Sequence, residues 1–242
     1  MPRCTLTSFG AYNSAHTLSE ESNLRAIQPI YAESRTFFES LLKEDGVRHS
    51  LIKLRKHYLE EYIESMNVSL LGADLGRELG FGEESLKILC YGGLLHDIGK
   101  LDVSIGILTK TTKPDENEKA ELERHPRNGL EYLRHNLEQF AHNGVGQIVV
   151  AHHEFQTTPY PRDRNNSHGT AYDGIERRKH NADNDVLVQI VTAADKYVAL
   201  GNQRAYKRQF SRDEIEKILR DQFTGNPKYI DMVLRRPLVN IN

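Results

Sequence analysis

Cysteine is nearly missing from this chain: Cys4 and Cys90 are the two it has, far apart in sequence. That excludes a disulfide framework and fits a reducing compartment. An excess of either charge is missing too, since 32 Lys and Arg stand against 34 Asp and Glu for a net charge of −2. A binder of nucleic-acid polymers would carry a basic surplus, so that class is not expected. No apolar run approaches the roughly 18 residues needed to cross a bilayer. The first residues, MPRCTLTSFGAYNSAHT, lack the apolar stretch of a secretory signal. The expectation is a soluble cytoplasmic protein with no membrane partner. Internal repeats and a clear linker are also lacking.

What is present is helical periodicity. With 242 residues, 38% hydrophobic and 27% charged, the chain can bury one sizeable core, or one domain with an appendage. Apolar residues from Ser19 to Leu42 fall at helical spacing, interrupted by Pro29 and stopped near Gly46. Leu51, Leu54, Tyr58 and Tyr62 predict one long helix from about Val47 to Leu79. LGFGEES reads as a turn and EESLKILCYGGLL as the next helix. Pro114 and the acidic residues after it suit a helix start. VGQIVVAHHE predicts a short helix, and residues 155–185, rich in Pro, Gly, Asn and charge, a long loop. DVLVQIVTAADKYVAL is too long for a strand and is read as a helix. Ser211 and Glu214 have capping-box spacing, and Pro227 opens the last helix. The fold class is all-α. Residues 1–50 are read as an N-terminal helical segment, regulatory or dimerising, that pairs with a second copy to bury its apolar face. Residues 51–242 form the main domain.

The residues with chemistry follow one another along the chain as His96–Asp97, His125, His152–His153 and Asp195. Imidazoles and carboxylates without thiolate suit iron, manganese or zinc. An Asp beside a His can bridge two ions while the His fixes one of them. Such a pair can hold a shared hydroxide and clamp a phosphoryl group for in-line attack. Lys100 follows about one turn later in GGLLHDIGKLD, placed to meet a phosphate oxygen. The plainer alternatives are a cationic residue at a helix C-terminus for His96, a helix end at His125, and one packed and one solvated ring for His152 and His153. They explain single residues but not the ordered set. The other histidines, such as His16, His49, His135 and His168, read as ordinary surface residues.

LLHDIGK, then HPRNG with its His 29 residues after His96, then AHHE, PYPR and ADKYVALGNQRAYK resemble the HD superfamily of metal-dependent phosphohydrolases. Within it they resemble the HD-GYP group, which hydrolyses cyclic dinucleotides, cyclic di-GMP above all. The resemblance spans residues 57 to 235 and implies an HD-domain helical bundle with an N-terminal helical extension. It implies ligands for two divalent ions, iron or manganese, at His96, Asp97, His125, His152, His153 and Asp195, with attack by the bridging hydroxide. It implies roles for Asp97 and Lys100 in catalysis and phosphate contacts from Arg204 and Lys207, with Tyr160 and Arg162 in the substrate loop.

Three departures stand out. Aligning ELGFGEE on the family's turn puts Glu64 where a first ligand His belongs, and Glu60 at the acid four residues earlier; His57 is the other candidate. The signature loop has become Thr158-Pro159-Tyr160-Pro161, without its glycine. The acid often found three places after the last Asp is Val198. The first and third bear on a third metal, the second on substrate identity. Two other readings stay open: a catalytically weakened sensor of cyclic dinucleotides, and a phosphohydrolase acting on a mononucleotide.

Overall fold

In the computed structural model of the chain, residues 40–161, 182–201 and 210–237 are described. Every named element among them is helical, joined by one isolated bridge between Gln156 and Phe223. The all-α expectation is met.

Helix α1 (Asp45–His57) and helix α2 (Leu59–Glu78) replace the single helix expected from about Val47 to Leu79. The break is one extended residue, Tyr58, at φ −154° and ψ 112°. Neither Gly nor Pro marks it, and Leu51 and Leu54 before it keep the apolar period running into Tyr62 after it. Position 50 therefore lies inside α1, whose Val47 and Leu51 belong to the common core.

Helix α2 is the spine of the bundle. Val68, Leu70, Leu71, Ala73 and Leu75 are all buried, covering several faces of the helix, as expected for an element enclosed by neighbours. Helix α3 (Glu83–Leu95) packs along it most extensively. The turn between them is a Schellman end: Phe81 N–H donates to Gly76 O at 3.0 Å and Gly80 N–H to Arg77 O at 2.9 Å. Gly80 takes φ 75° there, which a side chain would resist.

After α3 comes a 3₁₀ turn (Ile98–Asp102), then short helices α4 (Ile105–Leu108) and α5 (Glu116–Leu122). Asp115 and Glu118 form a capping box at the start of α5. Helix α6 (His125–Asn136) begins at His125 with Pro126 in its first turn, so His125 opens a helix rather than ending one. The turn Glu138–Ala141 (α7) leads to α8 (Gly144–Ala151), which packs on α3, α6 and the later α9 (Ala182–Gly201). Helix α9 therefore begins at Ala182, inside the stretch expected to be loop through residue 185. Helices α10 (Arg212–Gln222), with its Ser211 capping box, and α11 (Lys228–Leu234) close the bundle against α9.

Residues 1–39, 162–181, 202–209 and 238–242 lie outside the described residues. With them go the N-terminal helical segment before Ser40, the pairing proposed for it, Cys4, Arg162, Arg204 and Lys207. Cys90 is buried, and burial pushes its thiol up to about 12. No helix among the described residues is long and apolar enough to cross a membrane.

Candidate metal centre

The cluster forms where α3, α6 and α8 end or begin together and α9 passes beside them. His96 is the residue at which α3 stops, and the chain turns at once into the 3₁₀ segment. Gly99 lets that segment lie flush on α6: a Cβ there would sit 2.0 Å from His125 O and 2.4 Å from Gly129 N. That close approach brings Asp97 to His125, with Oδ1 3.0 Å from His125 Nε2. His152 and His153 follow the last residue of α8, and Asp195 lies on α9. Thr192, one turn before Asp195, places its hydroxyl 2.7 Å from His152 O, tying α9 to the end of α8.

Three imidazoles are fixed by the backbone. Nδ1 lies 2.9 Å from Gly93 O in His96, 2.6 Å from Leu122 O in His125 and 3.0 Å from Val149 O in His152. A carbonyl only accepts, so each Nδ1 carries a hydrogen and each Nε2 lone pair points into the cluster. These are the outer contacts that orient metal-ligating histidines and fix their tautomer.

The inward atoms form two donor groups. Asp97, His125, His152 and His153 form one; His96, Asp97 and Asp195 form the other, and within each group the donor atoms lie within 4.8 Å of one another. Asp97 belongs to both. His125 Nε2 and His152 Nε2 are 3.2 Å apart, and His152 Nε2 is 3.6 Å from Asp97 Oδ1. His96 Nε2 lies 3.1 Å from Asp97 Oδ2 and 3.6 Å from Asp195 Oδ1. His96 Nε2 and Asp97 Oδ1 are buried without a hydrogen-bond partner among the described residues. Donors at about 2.0–2.2 Å from one cation end up roughly 3–3.5 Å from each other. The residues present therefore fit a divalent ion in each group.

Electrostatics agree. Burial opposes a proton on His96, yet the Asp97 and Asp195 carboxylates outweigh it and raise its pKa well above the usual imidazole value. His125 falls below that value through burial, and His153 falls well below through burial and the neighbouring His152 and His125. Burial would raise the Asp97 carboxyl, but His96, Lys100 and His125 hold it well below the usual range. The cluster thus demands positive charge, which cations supply while leaving the imidazoles neutral.

Lys100 Nζ lies 2.7 Å from Asp97 Oδ2 and 2.8 Å from Glu61 Oε2. Burial works against that ammonium, and Asp97, Glu61 and Glu64 outweigh it, so its pKa is well above the usual value. Tyr160 stacks on His153 with ring centroids 4.4 Å apart and meets the edge of His125 at 6.1 Å. The strip carrying it is held by Thr157 N–H to Gln222 O at 3.0 Å and Thr224 N–H to Phe155 O at 3.2 Å.

Of the residues singled out by sequence, His96, Asp97, His125, His152, His153 and Asp195 converge, with Lys100 and Tyr160 beside them. Glu64 is buried on α2 near Lys100 but belongs to neither donor group. Glu60, aligned with the family's preceding acid, is exposed, and its neighbour Glu61 is buried instead. His57 places Nε2 2.9 Å from Val103 O, away from both groups. Val198 is part of the core. Glu61 was not singled out by the sequence, although its i,i+3 spacing to Glu64 put both on one face.

The HD domain family matches residues 62–200, the stretch that carries the whole cluster. The chain belongs to that family. It is an HD-GYP-like member of the HD superfamily, with the loop change noted above. The cyclic di-GMP phosphodiesterase response regulator RpfG of Xanthomonas campestris is 29% identical over 164 residues, covering 66% of this chain and 39% of that protein. The cyclic di-GMP phosphodiesterase PA4108 of Pseudomonas aeruginosa is 29% identical over 176 residues, 72% of this chain and 38% of its own. The 3′3′-cGAMP-specific phosphodiesterase 1 of Vibrio cholerae is 31% identical over 160 residues, 65% and 33% respectively. This HD domain chain therefore aligns with no more than about two fifths of the length of these relatives.

Proposed function

We propose that this HD domain is a metal-dependent phosphodiesterase of the cytoplasm that hydrolyses a cyclic dinucleotide, with cyclic di-GMP the first candidate and 3′3′-cGAMP the second. The observation that carries the reading is the double membership of Asp97, one carboxylate serving two adjacent groups of inward donors. The curated names of the relatives support the substrate class, at roughly 30% identity.

In this reading His125, His152 and His153 with Asp97 would hold one cation, and His96, Asp97 and Asp195 would hold the other, iron or manganese in each. When bound, the pair supplies an activated water and charge to polarise the phosphodiester. The protein's own contribution is orientation and electrostatics. The three carbonyl-anchored imidazoles keep their lone pairs aimed inward, so little reorganisation is needed as charge develops. Lys100 has three N–H groups and two carboxylate partners, which leaves one for a phosphoryl oxygen. Tyr160 walls the His153 flank, where a nucleotide would enter.

Arg162, Arg204 and Lys207 are assigned substrate contacts on their sequence positions, and Glu64, outside both donor groups, an electrostatic place beside Lys100. The catalytic unit is assigned to residues 51–242 together with the first half of α1, which shares their core, and the residues before Asp45 to regulation or pairing with a second copy.

The test is Asp97→Ala, purified anaerobically and assayed with cyclic di-GMP and 3′3′-cGAMP. Loss of both metal content and turnover is expected. Undiminished hydrolysis at stoichiometric metal would overturn the reading.

A further inference from the structure

Lys100 Nζ is shared by two carboxylates from different parts of the chain. Asp97, three residues away, accepts at 2.7 Å through Oδ2, and Glu61, on α2, accepts at 2.8 Å through Oε2. Asp97 Oδ2 is also the oxygen nearest His96 Nε2, at 3.1 Å, so it faces the group completed by Asp195. One oxygen is thus contested by an ammonium and by the cation that this group fits. Both are positive, and at such range in a buried site their repulsion is severe.

We propose that Glu61 is a positioning residue for metal loading: it holds the Lys100 ammonium when a cation takes Asp97 Oδ2. The inference rests on reading the cluster as a cation site. Glu61 is suited to the task because it is buried, comes from a separate helix and already lies in contact with Nζ. The lysine needs only to lean toward α2, which its flexible four-carbon stem allows. Without the Glu61 charge, Asp97 is the carboxylate left in direct contact with the ammonium, Glu64 acts on it only at longer range, and the ammonium competes with the ion for Asp97. Outer contacts of this kind change metal affinity by about 10–100-fold when removed.

The experiment is Mn²⁺ titration of metal-free full-length protein, followed by calorimetry, for wild type, Glu61→Gln, Lys100→Gln and the double variant. Wild type should bind two ions. Glu61→Gln should weaken the second binding step on the order of tenfold or more. Lys100→Gln should not weaken it, and adding Glu61→Gln to that background should cost far less than Glu61→Gln does alone, because the effect on the ion passes through the lysine. Should Glu61→Gln alone fail to fold, the double variant, which removes both charges together, should restore folding and second-site affinity. Unchanged affinity in Glu61→Gln overturns the inference, as does a double variant as impaired as the single one. Absence of Mn²⁺ binding by wild type overturns instead the metal-site reading beneath it.

Discussion

The Nε2 atoms of His125 and His152 lie 3.2 Å apart although each ring has its Nδ1 hydrogen aimed at a backbone carbonyl. Two lone pairs facing each other at that distance repel unless positive charge lies between them. Cation binding relieves the repulsion in the folded state alone, because the unfolded chain does not assemble these donors. At a free Mn²⁺ concentration of 100 times Kd the gain is about 2.7 kcal/mol. For a chain of this size that is roughly 5–10 °C in Tm. Thermal melts with Mn²⁺ and with a chelator check it; coincident melts would contradict it.

Gly99→Ala tests how the cluster is assembled. The added Cβ would meet His125 O at 2.0 Å and Gly129 N at 2.4 Å, both backbone atoms that cannot swing away. The 3₁₀ turn must lift from α6 and carry Asp97 away from His125. A loss of about 1–3 kcal/mol is expected in urea unfolding, typical of overpacking, together with weakened Mn²⁺ binding. Retention of wild-type metal affinity would show that the contact does not set the Asp97–His125 distance.

Tyr160 offers a test at the rim. Its stack on His153, with centroids 4.4 Å apart, belongs to the class of aromatic pairs contributing about 0.5–1.5 kcal/mol beyond area burial. Tyr160→Ala should raise KM for the dinucleotide more than it lowers kcat, whereas Tyr160→Phe, which keeps the ring, should stay close to wild type in both. Steady-state kinetics of the two variants separate ring from hydroxyl.

The C-terminal latch gives a pH signature independent of the cluster. Glu78 pairs with Arg236 at 2.7 Å and with Arg235. Its carboxyl is held below the usual value by the hydrogen bond from Arg236, which with the charges of Arg236 and Arg235 outweighs the opposing effect of burial. A depressed folded pKa means the contribution is present above the unfolded value near 4.5 and is lost as pH falls through the folded one. Glu78 is more than one-third exposed, so screening keeps the effect within about 1 kcal/mol. Urea midpoints of wild type and Glu78→Gln should differ slightly at pH 7 and converge as pH falls through the depressed folded pKa.

Much of this was legible in the sequence because it was local. The Ser211–Glu214 cap and the turn at Gly80 are each spelled within a few residues, and His96–Asp97, His125, His152–His153 and Asp195, though spread along the chain, each sit in a short motif of their own. The break at Tyr58 was not, since the apolar period runs through it and no helix breaker marks it. The choice between Glu60 and Glu61 was not either. Both stand within a turn of Glu64, and a rotation of about 100° per residue decides which one meets Lys100. That rotation is set by how α2 packs on α3 and α9, which is tertiary information. The carbonyl anchors Gly93, Leu122 and Val149 were invisible for a different reason: any residue type can offer a backbone oxygen.

The most direct measurement is anomalous diffraction from crystals of the Mn²⁺-loaded protein. Two peaks, each within coordination distance of the Asp97 carboxylate, with the three anchored histidines turned toward them, are the predicted result. A single peak that does not touch Asp97, in protein that still hydrolyses a cyclic dinucleotide, would contradict it.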